Sequence, residues 1–450
     1  MITKIETNLK DNKFFSTITN ISFTGKLQSE EFELLILYPD ITYQTLLGFG
    51  GAFTESSAYA LSQLKASMQE QILNDYFSQN GICYNFGRLH INSCDFSLGN
   101  YAYLDKPNLS DFTIEHDKKY LIPTIKQALK INPSIEFLAS PWSPPAFMKD
   151  NNNMNNGGKL LNTYKQLWAD YLVNYVREYK KEGINISYMT IQNEPNAIQS
   201  WESCNYTAIE EANLLKQYLF PTFRFYNIPM KFLVWDQNKE RILYRINAIY
   251  KDKEIAKLIS GIAYHYYTGD HFNNLAITKQ LCPELLLIHS EGCTGYSKNN
   301  KQSELRNAEI YAHDIIGDLN HGCNAYIDWN IVLDYYGGPN HKKNYCNSPI
   351  MINKKKTGYT RMLTFYYIGH FSKYIQPGAK RIAYSSYTDK VEITAFINPD
   401  ESIIVVFLNT TNDQVNYKLN IQEDVLNITI KKHSIVTYVI ERKWKNDRCR

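Results

Sequence analysis

Short apolar runs alternate with helical stretches from about residue 47 to about residue 370. Each run is rich in aliphatic and aromatic residues and stops at polar or turn-forming residues, which is typical of a buried strand. The eight predicted strands are Leu47–Phe53, Tyr84–Ile91, Ile135–Ser140, Tyr188–Asn193, Lys231–Trp235, Gly261–Tyr267, Leu285–Ser290 and Ala325–Trp329.

Between these strands, apolar residues recur at helical spacing. The clearest helices are Ser56–Ser78, Tyr120–Lys130, Thr163–Lys181, Thr207–Tyr226 and Ser303–Asn320. Strands that alternate with helices predict a parallel sheet, and eight such units are the number in a closed (β/α)8 barrel. An open doubly wound sheet is the alternative, but the turn Gly48-Phe-Gly-Gly51 lacks the spacing of a phosphate-binding turn. The pattern favours the barrel.

The two ends of the chain show a different pattern. Phe32–Tyr38 reads as a strand, and after Arg381 short strands follow one another without helices. This pattern is typical of an antiparallel sandwich, with strands at Val391–Ile397, Ser402–Leu408, Val415–Leu419, Ile428–Ile430 and Ile435–Ile440. We therefore expect an α/β protein with a barrel at residues 45–374 and an attached antiparallel β-sandwich built from residues 1–44 and 375–450.

Two glutamates stand at the ends of predicted barrel strands. Glu194 follows the fourth strand and Glu291 follows the seventh. A carboxylate there adds nothing to the core, and the carboxyl ends of barrel strands are where catalytic groups lie. Two carboxyl groups about 5–5.5 Å apart are what a retaining glycosidase needs, one to attack the anomeric carbon and the other to protonate the leaving oxygen. A helix-capping or salt-bridging role is the alternative for either glutamate alone.

Further polar and aromatic side chains follow the other strands. An amide such as Asn193 can hydrogen-bond a sugar hydroxyl, and Arg88 can hold a neighbouring carboxylate ionised. Rings and polar groups together are typical of a sugar-binding site, and the predicted substrate-binding residues are Arg88, Asp95, Phe96, Trp142, Asn193, His265, Tyr267, Trp329 and Asn330.

The composition and the cysteine and histidine spacing limit which partners, metals and cofactors are expected. The 48 basic and 45 acidic side chains leave a net charge of +3, which argues against a nucleic-acid partner. The eight cysteines show no zinc spacing and are expected to be mostly reduced. No two-histidine ligand pattern joins Glu291, so we predict no metal and no cofactor. The N-terminus lacks a signal-peptide pattern and no apolar run could span a bilayer, which predicts a soluble chain, either cytoplasmic or exported by a leaderless route.

An ordered set of short motifs spans most of the chain: Gly48–Glu55, Ser93–Ser97, Ala139–Trp142, Gln192–Pro195, Ser290–Cys293, Asp328–Asn330, Gly337–Asn340 and Gly369–Lys373. In this order the motifs resemble glycoside hydrolase family 30. The segment Ser97–Tyr103 is more similar to the glucosylceramidase branch than to the xylanase branch of that family. The resemblance departs at Tyr266, where the mammalian lysosomal enzyme has a tryptophan.

The resemblance implies a barrel with an attached β-sandwich, and hydrolysis with retention of configuration. It implies Glu194 as the acid/base and Glu291 as the nucleophile. Sugar contacts are implied for Asp95, Trp142, Asn193 and Trp329, and Arg88 matches an arginine beside the site.

These observations predict a retaining exo-β-glucosidase of sphingolipid metabolism that hydrolyses glucosylceramide or a related β-glucoside. The alternatives are an endo-β-1,6-glucanase, a β-xylosidase or β-fucosidase, or an inactive protein that binds glycans or lipids. No obligate protein partner is indicated. Transient contact with a membrane surface is predicted through Phe147-Met148 and Tyr335-Tyr336.

Overall fold

The computed structural model describes residues 1–27, 31–295 and 304–441. In chain order its strands are β1 Ile2–Asn8, β2 Lys13–Ile21, β3 Gly25–Lys26, β4 Leu34–Thr45, β5 Gly48–Phe53, β6 Phe86–Ile91, β7 Glu136–Pro141, β8 Ile186–Thr190, β9 Lys231–Asn238, β10 Gly261–His265, β11 Leu286–Glu291, β12 Ala325–Asp328, β13 Ile350–Ile352, β14 Tyr359–Arg361, β15 Lys380–Ser386, β16 Glu392–Ile397, β17 Ile403–Asn409, β18 Val415–Ile421, β19 Asp424–Ile430 and β20 Ser434–Ile440.

The helices are α1 Glu55–Ser62, α2 Ala66–Phe77, α3 Leu121–Ile131, α4 Lys165–Lys181, α5 Ala208–Leu214, α6 Phe220–Phe225, α7 Ile242–Ile249, α8 Lys253–Ala256, α9 Phe272–Leu281, α10 Glu304–Asn320 and α11 Leu363–Ser372. Within the described part of the chain, no helix combines the length and apolarity needed to cross a membrane. The chain divides into two compact units, one from residues 49–301 and 325–360 and the other from residues 1–48, 302–324 and 361–450.

Strands β5 to β12 close into the predicted barrel in the order β10-β11-β12-β5-β6-β7-β8-β9. Neighbouring strands run parallel, as in the pairing of Gly50 with Phe86. A methyl group on Gly50 would lie 2.1 Å from the carbonyl oxygen of Phe86, so only glycine fits there. Strands β5, β6 and β10 are buried along their whole length, which is why they read as apolar runs rather than as alternating patterns.

The predicted helices are present, with two differences. The first is broken at residues 63–65 into α1 and α2, and Thr54 caps α1 by accepting a hydrogen bond from the amide of Ser57. The predicted helix at residues 207–226 begins with a capping box between Thr207 and Glu210, and a π-helical turn at Leu215–Leu219 separates α5 from α6.

The second unit contains a ten-stranded sheet in the order β2-β1-β20-β17-β16-β15-β4-β18-β19-β3. Its pairs are antiparallel except for β18 with β4, which run parallel. The chain ends therefore build one domain as predicted, but the first three strands and β15 were not expected. Strand β2 is exposed or half-buried along its length, so it shows no apolar alternation.

Strand β4 continues past Pro39, where the sequence predicts a turn. Its pairing with β15 moves from Thr42 opposite Ile382 to Tyr38 opposite Ala383, so residues 39–41 bulge out of the ladder. A proline has no amide to donate and is tolerated at such a bulge. The core of this unit is apolar and includes Leu35, Val405, Phe407, Leu419 and Val436.

Candidate active site

Glu194 lies beyond the end of β8 rather than on a strand. Its backbone has a φ of +45°, a conformation uncommon for a side-chain-bearing residue and often found at functional sites. The amide of Glu194 donates to the carbonyl of Asp236 at 2.9 Å, and the amide of Ala197 donates to the carbonyl of Glu194 at 2.9 Å. These bonds fix the turn that presents the carboxyl group.

The carboxyl group of Glu194 has two side-chain partners. Its Oε1 lies 3.3 Å from Nδ1 of His265, and its Oε2 accepts from Nε2 of Gln199 at 3.4 Å. The side chain keeps 15% of its surface exposed, so it can reach both solvent and a bound molecule.

Glu291 is the last residue of β11 and is held more tightly. Its Oε2 accepts a short charge-assisted hydrogen bond from Nη1 of Arg88, and its Oε1 accepts from the hydroxyl of Tyr267 at 2.9 Å. The side chain is 10% exposed. Two donors on two oxygens fix both the position of this carboxylate and the plane in which it lies.

Arg88 joins the strands beneath the site. The side chain is fully buried, and Nη2 donates to Oδ1 of Asn193 at 2.8 Å and to Oδ2 of Asp236 at 2.9 Å. Burial alone would lower the pKa of Arg88, but the charges of Asp236 and Glu291 raise it above its usual value. The guanidinium is therefore a permanent positive charge between two carboxylates.

Asp236 and His265 complete the buried network. Oδ1 of Asp236 lies 3.1 Å from Nε2 of His265 and accepts from the hydroxyl of Ser290 at 2.6 Å. Burial opposes the charge of Asp236, but Arg88 and His265 outweigh it and hold its pKa well below the usual range. Burial also opposes a charged His265, yet Glu291, Asp236 and Glu194 together raise its pKa to about 9. Contacts thus run without a break from Glu194 through His265, Asp236 and Arg88 to Glu291.

Two tryptophans cover this network. Trp142 and Trp329 stack with their ring centres 5.5 Å apart and their planes inclined by 18°. The guanidinium carbon of Arg88 lies 4.8 Å from the ring centre of Trp142 and 5.6 Å from that of Trp329. Phe96 meets Trp329 edge to face at 5.8 Å. The rings therefore exclude water from Arg88.

Asp95 is a further buried carboxyl group at the site. Its Oδ2 accepts from the side-chain amides of Asn340 at 3.2 Å and Asn344 at 3.1 Å. Burial, followed by the charge of Glu291, raises the pKa of Asp95 to about 7. At neutral pH this group can therefore both donate and accept a hydrogen bond.

A cavity of about 330 Å³ collects these groups. Of the predicted site residues, Asp95, Trp142, Asn193, Glu194, Tyr267, Glu291 and Trp329 line it. Arg88, His265 and Phe96 lie behind these residues and contact them. Asn330 is fully buried elsewhere, and its Oδ1 accepts from the hydroxyl of Thr54 at 2.6 Å near the start of α1.

The structure adds residues that the sequence did not single out. Asp236 lies in β9 directly after Trp235, so the criterion that found the two glutamates, an acidic residue at a strand end, would also have found it. Further lining residues carry no periodic signal: Asn238 is the last residue of β9, and the others lie in loops, at Gln199, Trp201, Cys293, Gly295, Asn344, Tyr345 and Cys346.

The four residues predicted to contact a membrane surface differ in their exposure to solvent. Tyr335 and Tyr336 are 47% and 41% exposed. Met148 is fully buried, and the ring of Phe147 packs edge to face against Tyr164 at 5.5 Å. The expectation for Met148 was wrong because the backbone of the short helical turn at Ala146–Met148 directs this side chain into the protein.

Comparison with known proteins gives consistent matches over most of the chain. The TIM-barrel domain of glycosyl hydrolase family 30 matches residues 46–375, and the β-sandwich domain of the same family matches residues 378–438. The lysosomal acid glucosylceramidase of Mus musculus is 33% identical over 431 residues, which are 91% of this chain and 84% of the mouse protein.

Two solved structures share the fold closely. The crystal structure of SrfJ from Salmonella typhimurium has a TM-score of 0.95 at 35% identity and covers 98% of this chain and 100% of its own. An endo-β1,6-glucanase has a TM-score of 0.90 at 27% identity, with 98% and 100% covered. The similarity therefore extends over both units and includes the segments that carry the two glutamates.

Proposed function

Because the chain belongs to glycosyl hydrolase family 30 and is a glycosidase, we propose that it is a retaining exo-β-glucosidase acting on glucosylceramide or a related β-glucoside. The observation that carries this proposal is the pair Glu194 and Glu291, which line one cavity in different surroundings. Glu291 is fixed by Arg88 and Tyr267, whereas Glu194 is more exposed and contacts His265 and Gln199. Two carboxyl groups with different surroundings suit two different roles.

In the first step, an oxygen of Glu291 attacks the anomeric carbon. The bond from that carbon to the aglycone oxygen breaks, and Glu194 gives its proton to the departing oxygen. Arg88 and Tyr267 hold Glu291 in place for the attack. The product of this step is a covalent glycosyl-enzyme and a free alcohol.

In the second step, water replaces the aglycone. Glu194, now ionised, takes a proton from the water as its oxygen attacks the anomeric carbon, and the bond to Glu291 breaks. The sugar leaves with its original configuration, and both glutamates return to their starting protonation states.

The other cavity residues suit the binding of one sugar ring. Oδ1 of Asn193 accepts from Arg88, so its amide nitrogen remains as a donor to a hydroxyl beside the anomeric carbon. Asp95, with a pKa raised to about 7 by burial and by Glu291, can bind hydroxyls farther along the ring. The cavity volume of about 330 Å³ lies within the about 300–1,000 Å³ range of small-molecule sites.

Substitution of the two glutamates tests the assignment. We expect Glu291→Gln to lower kcat by at least about 10⁴-fold on every substrate, because no bond to the sugar can form without this nucleophile. Glu194→Gln should impair substrates with poor leaving groups far more than activated aryl glucosides, because only the former need a proton from the enzyme. Glu55→Gln is a matched control: Glu55 is also buried close after a barrel strand, two residues beyond the end of β5, but it contacts His116 and does not line the cavity.

The outcome that opposes the assignment is a Glu291→Gln enzyme with a near-normal kcat, or one no more impaired than Glu55→Gln. An inactive sugar- or lipid-binding protein is distinguished by labelling with a cyclitol epoxide. We expect the label on Glu291, and a folded protein that takes up no label would favour the binding function.

The structural similarity to an endo-β1,6-glucanase favours that activity as the second candidate. Both reactions use the same pair of carboxyl groups, so only the products separate them. Glucose as the sole sugar product from glucosylceramide supports the exo-β-glucosidase. Oligosaccharides released from β-1,6-glucan, with glucosylceramide left intact, would support the endo-glucanase.

A further inference from the structure

Two cysteines lie side by side next to Glu291. The sulfur atoms of Cys293 and Cys346 are 3.0 Å apart, although 53 positions separate them in the chain. Their backbones are already joined, because Gly295 and Cys346 form a β-bridge and the amide of Asn347 donates to the carbonyl of Thr294 at 2.9 Å. A disulfide has an S–S distance of about 2.05 Å, so the sulfurs need to approach by only about 1 Å.

Both thiols are reached through the cavity. Cys293 and Cys346 line it and keep 5% and 7% of their surfaces exposed. Four other described cysteines are fully buried: Cys94, Cys204, Cys282 and Cys323. Cys83 is partly exposed, but its sulfur lies near the carbonyls of Ser78 and Gln79. A small reagent in the cavity therefore meets two adjacent thiols.

We propose that Cys293 and Cys346 are a redox modification site, at which a small disulfide compound entering the cavity converts the pair into an intramolecular disulfide. One protein thiolate attacks the reagent, its S–S bond breaks, and a mixed disulfide forms as one small thiolate leaves. The second cysteine attacks the protein sulfur of the mixed disulfide, and the other small thiolate leaves. The two departing thiolates take up the two protons lost by the cysteines, so both cysteines are oxidised and the reagent is reduced to two thiols.

The geometry favours a disulfide over a bound metal ion. A zinc ion about 2.3 Å from each sulfur would subtend an S–Zn–S angle of only about 80° at the observed separation of 3.0 Å, instead of the about 109° of a tetrahedral site. Formation of a disulfide needs no atom between the sulfurs and no large movement of the joined backbones.

Cross-linking would act on the residues around Glu291. The hydroxyl of Tyr267 lies 3.6 Å from the sulfur of Cys293 while it donates to Oε1 of Glu291 at 2.9 Å. Cys346 directly follows Asn344 and Tyr345 in the chain, and the side-chain amide of Asn344 donates to Asp95 at 3.1 Å. Displacement of a positioning group by about 1 Å can cost on the order of 100-fold in rate. We therefore expect oxidation to lower kcat/KM by about 10- to 100-fold, a consequence that rests on the proposed function.

Treatment of the folded, reduced enzyme with hydroxyethyl disulfide, followed by peptide mapping, tests the site without reference to activity. We expect a Cys293–Cys346 cross-linked peptide that retains no mercaptoethanol and disappears after dithiothreitol. In Cys346→Val, the second step is impossible, so a mercaptoethanol adduct should remain on Cys293. The control Cys83→Ser should give the wild-type result.

Separate stable adducts on the two cysteines in the wild-type enzyme, or thiols that alkylate singly and never cross-link, would overturn the proposal. Each protein is then assayed before and after oxidation, with its own reduced form as the reference. Reversible loss of kcat/KM in the wild type and in Cys83→Ser, but not in a double variant Cys293→Ala/Cys346→Val that can take up neither adduct nor cross-link, supports the coupling to Glu291. A complete cross-link with unchanged kcat/KM would overturn that coupling. An enzyme that proves inactive on β-glucosides leaves the cross-linking result intact, so the two failures are distinguishable.

Discussion

Replacement of Arg88 by lysine tests the network beneath the site. The guanidinium donates from three nitrogens to four acceptors: Ser140, Glu291, Asn193 and Asp236. Lysine keeps the positive charge but has one nitrogen on a flexible stem, so it cannot bind Glu291 and Asp236 in the same geometry. The substitution therefore removes the planar fork and leaves the net charge of the protein unchanged.

The expected fall in kcat/KM follows from the hydrogen bonds that lysine cannot make. If the ammonium remains on the fully buried Asp236, the charge-assisted bond to Glu291 is lost, at a cost of about 1.5–3 kcal/mol. Under the proposed mechanism we expect this loss in the transition state, because the bond orients the carboxylate that would attack the anomeric carbon. A tenfold change in rate corresponds to about 1.4 kcal/mol, so kcat/KM should fall by about 10- to 150-fold.

The assay compares Arg88→Lys with Arg245→Lys. Arg245 is a matched control because it is also buried, donates to the buried Glu211 at 2.7 Å and lies over Trp235, but its hydrogen-bond partners are Glu211, Asn196 and Tyr206 rather than Glu194 or Glu291. Both variants should unfold at lower urea concentration than the wild type, while only Arg88→Lys should lose kcat/KM on an aryl β-glucoside and label more slowly with a cyclitol epoxide. Equal losses of kcat/KM in both variants, or none in Arg88→Lys, would refute the assigned role of Arg88.

Three further predictions concern pH and packing. Because the pKa of His265 rises from 6.5 to about 9 on folding, its protonated form contributes about 3 kcal/mol of stability that is complete below about pH 6.5 and is lost as the pH rises through about 9. In urea unfolding measured across that pH range, the free energy of unfolding of His265→Gln should not show this decrease. Because the pKa of Asp95 rises from 3.8 to about 7, the contribution of its protonated form to stability is complete below about pH 4 and is lost by about pH 7, at a cost of about 4 kcal/mol. Asp95→Asn should therefore be more stable than the wild type between pH 5 and pH 8 in thermal unfolding, while losing kcat/KM. Equal unfolding temperatures of the variant and the wild type at pH 5 and at pH 8 would contradict the assignment. Phe407 is fully buried in the sheet of the terminal unit, so Phe407→Ala should lower the free energy of unfolding by about 3–5 kcal/mol, with Phe407→Leu less harmful and kcat/KM of the folded enzyme unchanged.

The barrel could be predicted because its strands are buried on both faces and therefore appear as distinct apolar runs. Strand β2 could not, because it is largely exposed and pairs with β1 alone. The break between α1 and α2 at residues 63–65 contains neither glycine nor proline, and apolar residues continue at helical spacing across it. In both cases the structure depends on tertiary packing, which the local sequence pattern does not show.

The residues of the site likewise include some that the sequence could identify and some that it could not. Glu194 and Glu291 were found because a carboxyl group at a strand end has no structural reason to be there, and Asp236 meets the same criterion one residue past the predicted end of its strand. Asn344 and Cys346 could not be found, because they reach the cavity only through the course of the loop that follows β12. Asn330 is a polar residue that directly follows a predicted strand, but its side chain serves the start of α1 instead.

A crystal structure of the enzyme inactivated by a cyclitol epoxide tests the central claim most directly, because it shows which carboxylate has bonded to the ring and where the other lies. The account predicts a covalent bond to Glu291, with the carboxyl groups of Glu194 and Glu291 about 5–5.5 Å apart on either side of the ring. A bond to another residue, or a separation of about 6.5 Å or more, which would suit an inverting reaction, would contradict it.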